Sequence, residues 1–269
     1  MTGLPLAGAV ALVTGSGRGL GRTIAGKLAA LGASLAIHDI SEDAPAQYGE
    51  APTLSAVAGA MTDSGTPTVA VTGDIGDEAA VAAMVAKAEA ALGPVSILVN
   101  CAGGDIGAAG TKPSPNGALD IGLADIMAVL QRNFIGTMLM CRAVAPGMAA
   151  RKAGAIVNFG SLNGQMGVAQ EVVYGCAKAA IIHYTRCLAQ EMRPHGVRVN
   201  AVSPGPVKTA RFLATRTTDP AMMMEGPSLE RYGTPAEIAD VVAFLAGPES
   251  RFVSGQVLRI DGGMTLFPG

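Results

Sequence analysis

Short runs of aliphatic and β-branched residues alternate along the chain with longer, Ala-rich stretches. The runs fall at 9–14, 34–39, 68–72, 96–100, 155–159, 197–202 and 256–260. Each is continuously apolar rather than alternating, which predicts strands buried on both faces. The intervening stretches predict helices over 20–31, 54–62, 78–92, 124–150, 173–192 and 235–245. Strand–helix alternation from end to end predicts an α/β fold, a Rossmann-type doubly wound parallel sheet of about seven strands with helices on both faces. Gly and Pro mark the joints, as in Leu92-Gly93-Pro94 and Ser203-Pro204-Gly205-Pro206. No linker, repeat or low-complexity segment interrupts the pattern, so residues 1–269 are read as one domain.

Two stretches break the rhythm. Residues 103–122 form a Gly- and Pro-rich loop between a strand and a helix, and 208–232, with Met222-Met223-Met224, follows the sixth strand. In an open α/β sheet, loops at the carboxyl ends of strands surround the ligand crevice. Two readings of these loops stay open: plain surface excursions, or lids that fold over a cofactor and its substrate.

Composition narrows the function classes. Apolar residues make up 49% of the chain, charged residues 15%, and the net charge is only -2, which favours a packed core over disorder. That balance supplies neither the basic face of a nucleic-acid binder nor a polybasic patch for an anionic membrane. Mean hydropathy is +0.39, yet no apolar run reaches the roughly 18 to 20 residues that span a bilayer. The apolar stretch 4–13 lacks a basic flank and runs into a Gly-rich turn, so it reads as a first strand and not a signal peptide. Cys101, Cys141, Cys176 and Cys187 have neither zinc nor disulfide-framework spacing. They are expected to be reduced thiols of a cytoplasmic protein. His38, His183 and His195 are scattered, so no metal is expected.

The chemistry concentrates in two places. After the first strand, Thr14-Gly15-Ser16-Gly17-Arg18-Gly19-Leu20-Gly21 opens a helix. Such a turn lets backbone N–H groups approach a pyrophosphate at a helix N-terminus. Its Gly15-x3-Gly19-x-Gly21 spacing is neither the GxGxxG fingerprint nor a phosphate loop with its Lys, which argues against an ATP- or GTP-dependent phosphotransferase. Asp39 ends the second strand, where an acid can accept hydrogen bonds from both adenosine ribose hydroxyls. Further on, Tyr174 and Lys178 lie four apart on a helix and so share a face, and Ser161 sits just past a strand end. Converging, Ser161 would bind a carbonyl oxygen and Tyr174 would move a proton. Lys178 would bring the tyrosine pKa towards working range.

The chain resembles the short-chain dehydrogenase/reductase family over essentially its whole length. The matching pieces occur in family order: Thr14-Gly15-x3-Gly19-x-Gly21, Asp74, Asn100-Cys101-Ala102-Gly103, Asn133, Ser161, Tyr174-x3-Lys178, and Pro204-Gly205 with Thr209. The segment 231–237 and Asp261-Gly262-Gly263 also match. The resemblance implies that Gly15, Gly19 and Gly21 hold the pyrophosphate, Asp74 the adenine, Asn100 the adenosine side, Lys178 the nicotinamide ribose and Thr209 the carboxamide. It further places Arg18, Leu20, Ile75, Ala102, Gly103, Val207 and Tyr174 along the cofactor. Asn133 would hold a water linking Lys178 to solvent. Two positions depart from the family: Cys101 stands where a second Asn is usual, with expected loss of sheet support, and Gly160 where a second Ser is common.

The resemblance implies reversible hydride transfer between NAD(H) and a secondary alcohol, in a homotetramer acting on a small molecule. The polar loop 105–116 favours a small polyol, sugar or hydroxy acid over a fatty-acyl substrate. Asp39 favours NAD(H) over NADP(H), whereas Arg18 is a cation that NADP-using relatives often carry there. A salt bridge between the two would soften the exclusion. A 3-oxoacyl-type carbonyl reductase using NADP(H) therefore stays open, as does a non-catalytic dinucleotide sensor, although the latter would not need Ser161, Tyr174 and Lys178 together.

Overall fold

The computed structural model describes residues 3–266. Seven parallel strands form one sheet in the order β3-β2-β1-β4-β5-β6-β7. They are β1 Val10–Thr14, β2 Ser34–Asp39, β3 Thr68–Thr72, β4 Ile97–Asn100, β5 Gly154–Phe159, β6 Val197–Pro204 and β7 Val257–Ile260. Their apolar faces alternate: Ala11, Val13 and Val99 join one buried cluster, and Leu12, Leu98 and Ile156 the other. The helices α1 (Gly19–Ala30), α2 (Leu54–Asp63) and α8 (Pro235–Ala246) cover the first cluster. The helices α3 (Glu78–Leu92), α5 (Gly136–Arg151) and α6 (Val172–Met192) cover the second. Two apolar faces on every central strand are the reason these runs show no alternation. Among the described residues no helix is long and apolar enough to cross a membrane.

The helix predicted over 124–150 is two helices. α4 (Leu123–Leu130) ends in a π turn at Gln131–Ile135, from which α5 continues. The cause is local. Asn133 Nδ2 donates to the Val129 carbonyl at 2.8 Å, and Thr137 Oγ1 donates to the Asn133 carbonyl at 2.8 Å. Side chains that satisfy helix carbonyls in this way loosen the regular ladder. Segment 231–237 turns out to be a helix start. Thr234 caps α8 in a reciprocal box with Glu237, and hydrogen bonding to Arg231 holds the Glu237 carboxyl down at about 2.

Chain order reverses between β1 and β4, and the crevice of a doubly wound sheet lies at the carboxyl ends of such a pair. The loop 208–232 over that end carries its own short helix, α7 (Ala210–Thr215), and a helical turn at Pro220–Met223. Tyr232 anchors it: its ring meets Phe212 edge-on at 5.1 Å, and its hydroxyl accepts the Asp219 N–H at 2.9 Å.

Candidate active site

A cleft of about 770 Å³ opens at this end of the sheet. Of the residues singled out from sequence, Gly15, Arg18, Gly19, Leu20, Gly21, Asp39, Asp74, Ile75, Ala102, Gly103, Ser161, Tyr174, Lys178, Pro204, Gly205, Val207 and Thr209 line it. The Gly-rich turn packs directly on the start of α1. A Cβ on Gly21 would come within 2.1 Å of the Gly15 carbonyl oxygen, so only glycine permits this approach. His38, which the sequence offered only as a stray histidine, locks the turn from below. Its Nδ1 accepts the Gly15 N–H at 3.2 Å while Nε2 contacts the Gly73 carbonyl at 2.9 Å. That pair of contacts requires the neutral tautomer with the proton on Nε2. Burial lowers the His38 pKa in the same sense.

The adenosine end fits a ribose. Asp39 is buried; one carboxylate oxygen accepts the Ile40 N–H at 2.9 Å, and Oδ2 has no partner. An orphaned, buried carboxylate oxygen is costly without a donor, and a ribose diol supplies donors. Arg18 does not pair with Asp39. Its guanidinium donates to the Ala44 carbonyl at 2.9 Å and to Gln47 Oε1 at 2.5 Å, and lies 5.2 Å from the Tyr48 ring centroid. Glu50, unnoticed in the sequence, accepts the Gly19 N–H at 2.8 Å and so places a carboxylate at the α1 N-terminus.

At the other end, Tyr174 and Lys178 of α6 face Ser161, the residue after the β5 exit Phe159-Gly160. Lys178 is buried and its ammonium donates to the Phe159 carbonyl at 2.8 Å, 5.5 Å from the Tyr174 ring centroid. Burial lowers the Lys178 pKa to about 8. The expected help of Lys178 in bringing the tyrosine proton into range works against burial here. Burial dominates and raises the Tyr174 pKa, while a hydrogen bond with Ser161 and the charge of Arg211 pull it back. A neutral phenol within hydrogen-bond reach of Ser161 suits proton donation to a developing alkoxide.

Two expected residues lie outside the cleft lining. Asn100 turns into the sheet, where Nδ2 donates to Asn158 Oδ1 at 2.9 Å; Asn158 in turn donates to Thr185 Oγ1 of α6 at 3.0 Å. The register pairs Asn100 directly with Asn158, so the amide braces β4 to β5 instead of facing the adenosine side. This brace supports the sheet without any contribution from the Cys101 side chain. Asn133 uses its amide on the loop after β4, accepting the Gly104 N–H at 2.9 Å and donating to its carbonyl at 2.9 Å. Gly103 makes that clasp possible. Its φ is +148, and a Cβ there would lie 2.5 Å from Asn133 Oδ1.

Sequence reading also missed a polar cluster at the substrate side: Asp105, Glu171, Arg211 and Arg216 line the cleft. Glu171 precedes α6 with φ +62 and accepts from Lys112 at 2.8 Å, from Arg216, and from Asn163 at 3.0 Å. These cations hold its carboxyl below the usual range against the opposing effect of burial. The partners come from three separate loops, so no local spacing announces the cluster.

Comparison with known proteins agrees with this geometry. The family model described as enoyl-(acyl carrier protein) reductase matches residues 15–265. The chain is 34% identical to a cyclohexanol dehydrogenase of a Rhodococcus species, over 97% of this chain and 98% of the relative. It is 36% identical to a galactitol 2-dehydrogenase (L-tagatose-forming) of Cereibacter sphaeroides, over 97% of each. A 7α-hydroxysteroid dehydrogenase solved with NADH and 7-oxo glycochenodeoxycholic acid superimposes with a TM-score of 0.83 at 30% identity, over 97% of this chain and 95% of that one.

Proposed function

The chain belongs to the short-chain dehydrogenase/reductase family and is an NAD(P)-dependent dehydrogenase acting on CH–OH groups, and from that premise we propose that it transfers hydride reversibly between NAD(H) and a small secondary alcohol. The observation that carries the reading is the convergence of Ser161, Tyr174 and Lys178 on one cleft whose far end holds the unpartnered Asp39 oxygen. The bound nicotinamide supplies the redox chemistry by accepting or donating the hydride. Ser161 orients the substrate oxygen, and Tyr174 gives or takes its proton. Lys178 binds the nicotinamide ribose, Asn133 serves the proton route behind Lys178, and the Gly15–Gly21 turn with Thr209, Pro204, Gly205 and Val207 seats the remaining cofactor. Asp74 and Ile75 flank the adenine.

NAD(H) is favoured over NADP(H). A 2′-phosphate would set negative charge against the buried Asp39 carboxylate, and Arg18, engaged by Ala44 and Gln47, does not neutralise it. The wild-type kcat/KM is therefore expected to be higher with NAD+ than with NADP+ on one good substrate. Asp39→Ala should raise NADP+ use. A wild-type ratio in favour of NADP+ would overturn the reading of Asp39.

The assembly is proposed to be a homotetramer. Exposed Leu123 and Met127 on α4, and Phe252 before β7, support buried surface between copies. Light scattering should return four times the chain mass, and a monomer at micromolar concentration would refute it.

A further inference from the structure

The secondary-alcohol reading leaves the rest of the substrate open, and Arg211 narrows it. This residue is the second of α7. Its guanidinium lies against Gly104, where a built Cβ would come within 2.3 Å of Nη2, and Nη1 donates to the Gly103 carbonyl at 3.2 Å. A Cβ on Gly103, whose carbonyl Arg211 meets, would lie 3.5 Å from the Lys178 ammonium, so the guanidinium borders the reacting end of the cleft; its charge also acts on Tyr48 and Arg18 towards the adenosine end, and burial lowers its pKa.

A guanidinium carries five N–H donors and keeps its charge. One long bond to a carbonyl uses little of that capacity, and none of the ion pairs among the described residues involves Arg211. The neighbouring cations are already engaged. Arg216 and Lys112 share the Glu171 carboxylate, Lys178 donates to Phe159, and Arg18 is held by Ala44 and Gln47. A half-buried cation with no counter-charge, beside the proton-transfer tyrosine, is the environment that an anionic ligand completes.

Building on the secondary-alcohol reading, we infer that Arg211 pairs with a carboxylate of the substrate, so that the alcohol oxidised is a small hydroxy acid and the product its oxo acid. The carbinol C–H bond breaks with its electron pair leaving as hydride to oxidised NAD. The O–H proton passes to the Tyr174 oxygen as that phenol releases its own proton past Lys178 to solvent, and the carboxylate is unchanged. The pyrophosphate of the cofactor offers the same anionic chemistry, and the test separates the two.

With NAD+, the purified enzyme is assayed on 2- and 3-hydroxybutanoate, the methyl ester of each, and 2-butanol, with NAD+ affinity measured alongside. The expected result is a kcat/KM at least tenfold higher for one acid than for its ester. In Arg211→Leu that acid-to-ester ratio should fall by roughly ten- to a hundredfold, the range for losing a charged hydrogen bond, and Arg211→Lys should recover part of it. An ester used as well as its acid by the wild type would overturn the inference. So would an unchanged ratio in Arg211→Leu, with or without weakened NAD+ binding; weakened binding would assign the guanidinium to the cofactor. NADH formed from 2-butanol with the acids idle would sink this inference alone, whereas no NADH from any member of the panel would count against the parent reading as well.

Discussion

Tyr174→Phe is expected to lower kcat by roughly 10²–10⁴-fold, the contribution of a positioned acid–base group, while NADH still binds. The ring stays in place on α6, so packing between Ser161 and Lys178 survives; only the hydroxyl that meets Ser161 is removed. The folded state should be little affected, because Tyr174 lines the cleft and belongs to neither apolar cluster. Stopped turnover together with retained NADH binding and an unchanged Tm separates loss of a proton carrier from loss of structure. A variant keeping more than about a tenth of the wild-type kcat would remove Tyr174 from the chemistry.

Lys178→Met is expected to damage two steps at once. The ammonium is buried, donates to the Phe159 carbonyl at 2.8 Å and sits 5.5 Å from the Tyr174 ring centroid. From there it can reach both a cofactor ribose and the region where the phenol works. Loss of a charged hydrogen bond to the ribose should weaken NAD+ binding by roughly tenfold or more, and loss of the charge beside Tyr174 should lower kcat by about 10²-fold or more. Stability should not fall in proportion, because a buried cation is replaced by an apolar chain of similar length. Calorimetric binding of NAD+ together with single-turnover rates would read the two effects apart. Unchanged cofactor affinity would mean that the ribose contact is wrong.

Much of the fold was legible because a doubly wound sheet leaves a strong trace. Strands such as β1 and β4 are buried on both faces and read as unbroken apolar runs, and the Gly-rich turn marks where the first strand hands over to α1. The helix over 124–150 was misjudged because a π turn leaves apolar spacing nearly intact. What breaks the ladder is one side-chain amide, Asn133, bonding to Val129 and Gly104.

At the site, Tyr174 and Lys178 were readable from helical spacing and Asp39 from its position at a strand end. Asn100 was not, since only register decides whether a strand-terminal side chain faces a crevice or its neighbour, and here it faces Asn158. Arg211 lay beyond reach for a different reason. It meets Gly103 across 108 positions of chain, through a loop whose path no periodicity constrains. The tyrosine's electrostatics were hidden likewise, because burial depends on the packed cleft.

The central claim is hydride transfer to NAD+ at the Ser161–Tyr174–Lys178 site. The most direct measurement incubates the purified wild type and Tyr174→Phe with NAD+ and a panel of neutral secondary alcohols, polyols and hydroxy acids, following formation of NADH. The account predicts NADH from at least one member with the wild type, and at most a few per cent of that rate with the variant. No NADH from any member by a wild-type protein shown to bind the cofactor, or equal rates from both proteins, would contradict it.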